Sequence, residues 1–309
     1  MAPQKIILIV GPTAVGKTAL SLELAQHFPG EIISGDSMQV YQQLDIGTAK
    51  IQPAEMQGIA HHLLNIRPMT APFTVADFQT LAEQAITAIA HRGRQPFIVG
   101  GTGFYVQSLL RGYQLGGAAS AASQAVRKKW QQVYATKGVQ ALQAALAQVD
   151  PVSAAKIPAG DSRRLIRALE VFALTGQPIS AQTDQVNPQY QPFIIGLTTQ
   201  RQVLYQRINT RVDLMMTAGL LAEAKLVYQN RAQAVQASKA IGYKEFFPYF
   251  AGDIDLATAV AQVKQNSRHF AKRQLTFFRN QMPTHWYDLL AQPDQLSQIK
   301  ADVAQFLAE

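Results

Sequence analysis

The segment KIILIV runs directly into GPTAVGKT at residues 11–18 and then into ALSLELAQHF. A short apolar run closed by glycine reads as a buried strand, and the apolar spacing after Thr18 reads as an amphipathic helix. Between them stands the pattern G-x-x-x-x-G-K-[ST], which joins strand to helix through a loop that wraps an anion. This arrangement restricts the chain to an α/β fold with the loop at the carboxyl edge of a parallel sheet. Gly11 and Gly16 permit backbone conformations that turn successive N–H groups inward. With Pro12, Thr13, Ala14 and Val15 they form the cradle, and the following helix adds its dipole. Lys17 is placed to reach the outer phosphates and the Thr18 hydroxyl to ligate Mg²⁺. The loop does not say which phosphate compound it holds, because many chemistries share it.

The rest of the chain supplies a sheet. IILIV (6–10), EIIS (31–34), PFIVG (96–100) and FIIGLT (193–198) read as strands, with THWYDL (284–289) as a further candidate. Helical patterns over 73–91 and 102–111 lie between them, which predicts a parallel sheet covered by helices. GYQLGGAASAAS (112–123) reads as a small-residue linker. After it, helices are expected at 124–136, 139–147 and 162–175, with a short turn of helix beginning at Asp150. We therefore expect a P-loop NTPase-like core domain over 1–112 and 191–309, with a mostly helical insertion domain over 113–190. Further helices are expected at 200–229, 243–250, 255–280 and 294–308.

Composition narrows the chemistry. The 309 residues include no cysteine, which removes disulfides, thiolate nucleophiles and cysteine zinc sites. Lys plus Arg number 28 against 20 Asp plus Glu, for a net charge of +8, which favours a polyanionic partner. No apolar run is long enough to span a bilayer and the amino terminus lacks a signal-peptide pattern, so a cytoplasmic protein is expected. No heptad pattern appears, and no obligate protein partner is inferred.

A nucleotide-hydrolysing P-loop protein ordinarily places a second acid after a neighbouring strand to hold the metal. PFIVGGTGFY has none, whereas IISGDSMQVY sets Asp36 just past its strand. Asp36 and Thr102 should both face the phosphate loop, since ligands of open sheets bind at that edge. By residue type, Asp36 is either a metal carboxylate or a general base toward a nucleophile arriving beside the phosphates. The adjacent His61 and His62 point to different sides and lack a third ligand nearby, so a structural role in a loop is expected. Trp130 and Trp286 read as core or interface residues.

GPTAVGKT, SGDSMQVY, LDIGTAK, HHLLNI, VGGTGFYVQSLL, DSRRLIRALEV, RVDLMMTAGLL, AIGYKE and AKRQLTFFR occur in that order. Together they resemble the bacterial tRNA dimethylallyltransferases, also called isopentenyl-tRNA transferases, over essentially the whole chain. The resemblance implies transfer of a dimethylallyl group from its diphosphate to N6 of the adenosine immediately 3′ of the anticodon, in tRNAs reading codons that begin with U. The loop would then hold the diphosphate of an isoprenoid donor, with Mg²⁺ as cofactor. Arg211, carried over from the R-V-D-x-M block, would join Lys17 in stabilising the leaving group, with Asp36 as base and Thr102 beside it. The base would be flipped out of its stack and contacted by Asp36, Ser37, Met38, Gln39 and Thr102. Further tRNA contacts are implied at Arg127; at Arg163, Arg164, Leu165, Ile166 and Arg167; at Lys239, Ala240, Ile241, Gly242, Tyr243 and Lys244; and at Lys272, Arg273, Gln274 and Arg279. Asn65, Lys239 and Phe277 stand where the family commonly carries Asp, Gln and Trp.

The residues alone also mark a stripe on the long final basic helix. Lys264, Arg268 and Lys272 recur every fourth position, and residues 256–287 contain no acid, which suits a phosphate backbone. Two rival readings remain at this level. One is a small-molecule P-loop kinase whose helical insertion closes as a lid; the other is an RNA-binding module with a vestigial phosphate loop.

Overall fold

The computed structural model describes residues 2–113, 121–181 and 187–309. It divides into two compact units. The larger comprises residues 1–73, 78–110 and 188–309, and the smaller 74–77 and 111–187.

The larger unit is built on a parallel sheet of six strands in the order β3-β2-β4-β1-β5-β6. The strands are β1 (Gln4–Val10), β2 (Gly30–Ser34), β3 (His61–His62), β4 (Gln95–Gly100), β5 (Tyr190–Leu197) and β6 (His285–Tyr287). Ile6 to Val10 are fully buried, as expected of a central strand covered on both faces. Helices α1 (Lys17–His27), α2 (Val75–His91), α3 (Gly103–Arg111), α7 (Arg201–Thr217), α8 (Leu220–Gln229), α9 (Phe247–Ala251), α10 (Leu256–Gln281) and α11 (Gln295–Ala308) belong wholly or mainly to this unit. One continuous apolar cluster joins β1 and β5 to α1, α7 and α11 through Ile7, Ile195, Leu24, Leu204 and Phe306.

Three corrections to the sequence reading concern this unit. His61 and His62, expected in a loop, form the short edge strand β3 on Ile32 and Ile33. His62 Nε2 lies 2.7 Å from a Glu31 carboxylate that also receives Arg92, so the pair is structural in another sense than expected. The helix expected over 200–229 is two helices, because Gly219 takes a left-handed conformation (φ 104°) between α7 and α8. Around 243–250 the backbone begins as a 3-10 turn at Lys244–Phe246 before α9.

The smaller unit is helical, with α4 (Ala121–Val149), α5 (Pro151–Lys156) and α6 (Ser162–Thr175). Gly138 (φ 75°) interrupts α4, which is why the sequence showed two helical patterns there. Asp150 and Asp161 start α5 and α6 by accepting the backbone N–H groups of Ser153 and Arg164, as N-cap residues do. Leu142, Leu146, Leu165 and Leu169 form the centre of its apolar core. Most of the linker predicted over 112–123 lies outside the described residues.

The register is what builds a site. β2, β4 and β1 are consecutive neighbours, with Ser34 opposite Val99 and Val10 opposite Gly100. The turns that follow these strands therefore leave the sheet side by side. A Cβ on Gly100 would lie 2.3 Å from the Gly35 carbonyl oxygen, so the two turns touch through backbone alone. Gly100→Ala should accordingly destabilise the fold by about 1–3 kcal/mol through overpacking, read as a lower denaturation midpoint at unchanged denaturant slope.

Candidate anion and base site

The turns after β1, β2 and β4 line a cavity of about 920 Å³, together with residues of α7, α10 and the segment before α9. On its first side is the phosphate loop. Gly11 leaves β1 at φ 141°, where a Cβ would meet the Leu197 carbonyl oxygen at 2.6 Å, so only glycine lets the loop turn against β5. Ala14 (φ 65°) and Gly16 (φ 108°) are left-handed in turn. That alternation gathers successive N–H groups into an anion-binding nest at the amino end of α1.

Three cations crowd this loop. Lys17 donates to the carbonyls of Gly11 (3.0 Å) and Pro12 (2.7 Å). Burial and the neighbouring Arg211 lower its pKa to about 8, with Asp36 acting the other way. Arg211 Nη1 reaches the Thr13 hydroxyl at 3.4 Å, and Arg207 Nε donates to the Ala14 carbonyl at 2.9 Å. Burial and Arg207 hold the Arg211 pKa below its ordinary value. Arg207 is a site residue that the sequence reading missed. Its signal was the spacing of four from Arg211, which puts both on one face of α7.

Opposite the loop are Asp36 and Thr102. Asp36 Oδ1 accepts the Met38 N–H at 2.8 Å. Burial raises its pKa against the opposing effects of the Met38 bond and the Lys17 charge. The Thr102 hydroxyl oxygen accepts the Ser37 N–H at 3.1 Å and lies 3.4 Å from the Ser37 hydroxyl, which locks the two turns together. Gln39 extends the wall, with Ser34 donating to its carbonyl oxygen and its amide reaching Thr48 and Ala49.

A carboxylate far away in sequence fixes the next stretch of wall. Glu223 on α8 accepts the N–H groups of Asp45, Ile46 and Gly47 at 2.8–2.9 Å and the Tyr243 hydroxyl at 2.7 Å. Burial and the Glu223 carboxylate push the Tyr243 phenol up, so it remains a donor. Lys50, almost fully buried, ties the same loop together through Tyr41 O, Asp45 and Asn65. Glu223 and Lys50 were not singled out from sequence, since a helical Glu and a loop Lys carry no signal of burial.

The structure redistributes the residues implied for RNA. Asp36, Ser37, Met38, Gln39, Thr102, Lys239, Ala240, Ile241, Gly242, Tyr243, Lys244, Arg273 and Gln274 all line the cavity. Lys272 and Arg279 are exposed on α10, with Arg279 over the Trp286 ring at 5.5 Å. Arg163 and Arg164 are exposed on α6. Arg127 and Arg167 both pair with Glu170, whose carboxylate is fully buried in the smaller unit. Leu165 and Ile166 instead belong to the core of the smaller unit. Tyr243 and Gln274 border the cavity but are buried, Tyr243 against Glu223 and Gln274 against Thr13 and Gly101. The basic stripe is also shorter than expected. Lys264 pairs with Asp213 at 2.6 Å and Arg268 donates to Asn209 at 2.6 Å, both on α7. The compensating acid sits on a neighbouring helix, outside the window that appeared acid-free.

If Lys17 carries part of the anion affinity, that part should fade as pH rises through about 8, where the free protein loses the ammonium charge. Titration calorimetry with inorganic pyrophosphate should show the ratio of wild-type to Lys17→Met affinity shrinking between pH 7 and 9. Taking the ratio cancels the titration of pyrophosphate itself, and a constant ratio would place Lys17 outside the anion site.

The family model described as IPP transferase matches residues 39–281. A protein of Latilactobacillus sakei subsp. sakei named tRNA dimethylallyltransferase is 52% identical over 309 residues, covering 99% of both chains. Among solved structures, the full-length tRNA isopentenylpyrophosphate transferase of Bacillus halodurans aligns with a TM-score of 0.73 at 45% identity, over 98% of this chain and 96% of that one. A eukaryotic dimethylallyltransferase acting on tRNA aligns with a TM-score of 0.82 at 28% identity, over 99% of this chain and 80% of that one. A phosphate loop facing an acid is found in many enzymes, but a match that runs from the first strand to the last helix is not a property of the loop, and by it this chain belongs to the IPP transferase family.

Proposed function

We propose that this protein transfers the dimethylallyl group of dimethylallyl diphosphate to N6 of the adenosine immediately 3′ of the anticodon, in tRNAs reading codons that begin with U. The products are N6-dimethylallyladenosine and diphosphate. The observation that carries this reading is the single cavity in which an amide-lined loop with its cations faces the desolvated carboxylate of Asp36. The relatives named above are transferases of this kind, and none is a small-molecule kinase. A kinase would break a P–O bond, whereas here the bond that breaks is C–O.

The reaction balances within the cavity. As the allylic C–O bond lengthens, its electron pair stays with the diphosphate oxygen, and the carbon, which can carry positive charge, is taken by the adenine N6. The N–H groups of residues 14–18, Lys17 and Arg211 meet the charge that builds on the leaving diphosphate. An exocyclic amine is a poor nucleophile because its lone pair is delocalised into the ring. Asp36 accepts an N6 hydrogen, which orients the amine, and then takes the proton as the C–N bond forms. Burial raises the basicity of this carboxylate above that of an exposed Asp, and protonation relieves the cost of burying its charge. The Thr102 hydroxyl, bonded to Ser37 beside Asp36, would bridge amine and leaving oxygen.

The site's oxygen donors suit a hard cation. Thr18 is exposed beside the loop, and no cluster of three or more His, Cys, Asp or Glu suited to a metal occurs among the described residues. The Thr18 hydroxyl would hold Mg²⁺ beside the substrate phosphates. When bound, Mg²⁺ adds positive charge against the departing diphosphate. For the RNA, Lys239, Lys244, Lys272, Arg273 and Arg279 of the larger unit, with Arg127, Arg163, Arg164 and Arg167 of the smaller, would grip the phosphate backbone. The smaller unit is then an RNA-contacting insertion. A tRNA substrate is consistent with a cytoplasmic protein.

Incubation with unmodified tRNA, labelled dimethylallyl diphosphate and Mg²⁺ should carry label into the tRNA, and ATP hydrolysis without label transfer would overturn the reading. Asp36→Ala should slow transfer by about 100-fold or more while tRNA binding survives; near-normal turnover would remove Asp36 as the base. Replacing Lys272 and Arg273 together by Ala should weaken tRNA binding and flatten the plot of log K against log salt by a slope of about 1–2. An unchanged slope would place the RNA elsewhere.

A further inference from the structure

The geometry points to Gln274 as a positioning residue that sets the phosphate loop against the Thr102 turn, and not as a contact to RNA. This inference rests on the function proposed above, although part of its test does not. Gln274 sits in the basic α10 block next to exposed Lys272 and Arg273, yet it is only 5% exposed and borders the cavity. Its carbonyl oxygen accepts the Thr13 N–H at 3.0 Å and its amide donates to the Gly101 carbonyl at 3.0 Å. One planar amide therefore spans the loop after β1 and the turn after β4.

Each end of this bridge has a consequence at the site. Thr13 contributes one of the loop N–H groups, and Gln274 occupies it, so the position of the loop is set by the helix as well as by its own glycines. The Thr13 hydroxyl also receives Arg211, which makes Thr13 the point where α7, α10 and the loop meet. At the other end, Gly101 precedes Thr102, whose hydroxyl holds the Asp36–Ser37 turn. A Cβ on Gly101 would lie 2.1 Å from the Gln274 amide nitrogen, so glycine there makes room for the bridge. Lys272 lies two residues away, about 200° around the helix, and is exposed. The same helix thus presents one face to solvent and the opposite face to the anion loop.

Without the bridge, the Thr13 N–H and the buried Gly101 carbonyl lose their partner and the two turns can drift apart. A misplacement of about 1 Å between donor and acceptor groups costs on the order of 100-fold in rate. The test compares Gln274→Met, which keeps length but removes both hydrogen bonds, with Lys272→Ala on the same helix. Pyrophosphate affinity, tRNA affinity with its salt slope, and single-turnover label transfer are measured for each. Gln274→Met should weaken pyrophosphate binding and slow transfer by about 100-fold with tRNA affinity and salt slope unchanged. Lys272→Ala should do the reverse in binding, weakening tRNA and leaving pyrophosphate affinity alone. If Gln274→Met instead lowers tRNA affinity and leaves pyrophosphate binding intact, Gln274 is an RNA contact and the inference is overturned. Should Gln274→Met fail to fold, as judged by its melting curve, Gly101→Ala decides, because its methyl displaces the amide without altering Gln274. Unchanged pyrophosphate binding and transfer in Gly101→Ala would overturn the inference as well. If the wild-type protein binds both ligands but transfers no label, the transferase reading fails, while the pyrophosphate measurements still report on Gln274.

Discussion

The phosphate loop must hold its shape before an anion arrives, because groups that have to reorganise around a charge give back much of what they gain by meeting it. Its own glycines supply the conformations but not the fixity. That comes from three neighbours: β5, whose Leu197 carbonyl abuts Gly11; α7, whose Arg207 holds the Ala14 carbonyl; and α10, whose Gln274 holds the Thr13 N–H. The helices that follow the fourth long strand are therefore part of the anion site, although the motif that announces it lies at the other end of the chain.

Charge in the cavity is arranged at a cost. Lys17 is held to a pKa of about 8 and Arg211 below its ordinary value, each by burial and by a neighbouring cation, while burial raises Asp36. All three shifts disfavour the charged forms. On the proposed reaction a bound diphosphate would relieve the two cations directly, and proton uptake from an amine would relieve the acid. Perturbation of this kind gathered in one cavity is what a site built for charge separation requires, with negative charge leaving on one side and a proton arriving on the other.

The sequence made the sheet and the loop legible because their signals are local. KIILIV and PFIVG are apolar runs closed by glycine, and GPTAVGKT fixes its own neighbours, so β1, β4 and α1 fall where expected. His61–His62 carries no periodicity in two residues and was read as loop. The break at Gly219 was hidden by the apolar residues LMM and LL on either side, which continue a helical pattern across it. Within the site, Lys17, Asp36 and Thr102 could be placed from strand ends, but Arg207, Glu223 and Gln274 could not. Their roles depend on which face of a helix meets the sheet, and a polar residue on an otherwise basic helix gives no hint that it points inward. The same ambiguity made Lys264 and Arg268 look available for RNA, when α7 supplies Asp213 and Asn209 to meet them.

Asp36 and Glu223 both bear on this cavity, and their surroundings set them apart. Glu223 accepts four hydrogen bonds, three from consecutive main-chain N–H groups and one from Tyr243. Its oxygens are committed to holding the Asp45–Gly47 loop. Asp36 is served by main-chain N–H groups of Met38 and Gln39, lines the cavity, and has burial as the dominant influence on its charge. A proton reaching Asp36 therefore removes a buried charge, whereas Glu223 is fully used in holding a wall of the site. The fold thus separates the acid that shapes the cavity from the acid we propose as its base by the number of donors it gives each, a difference of environment rather than of residue type.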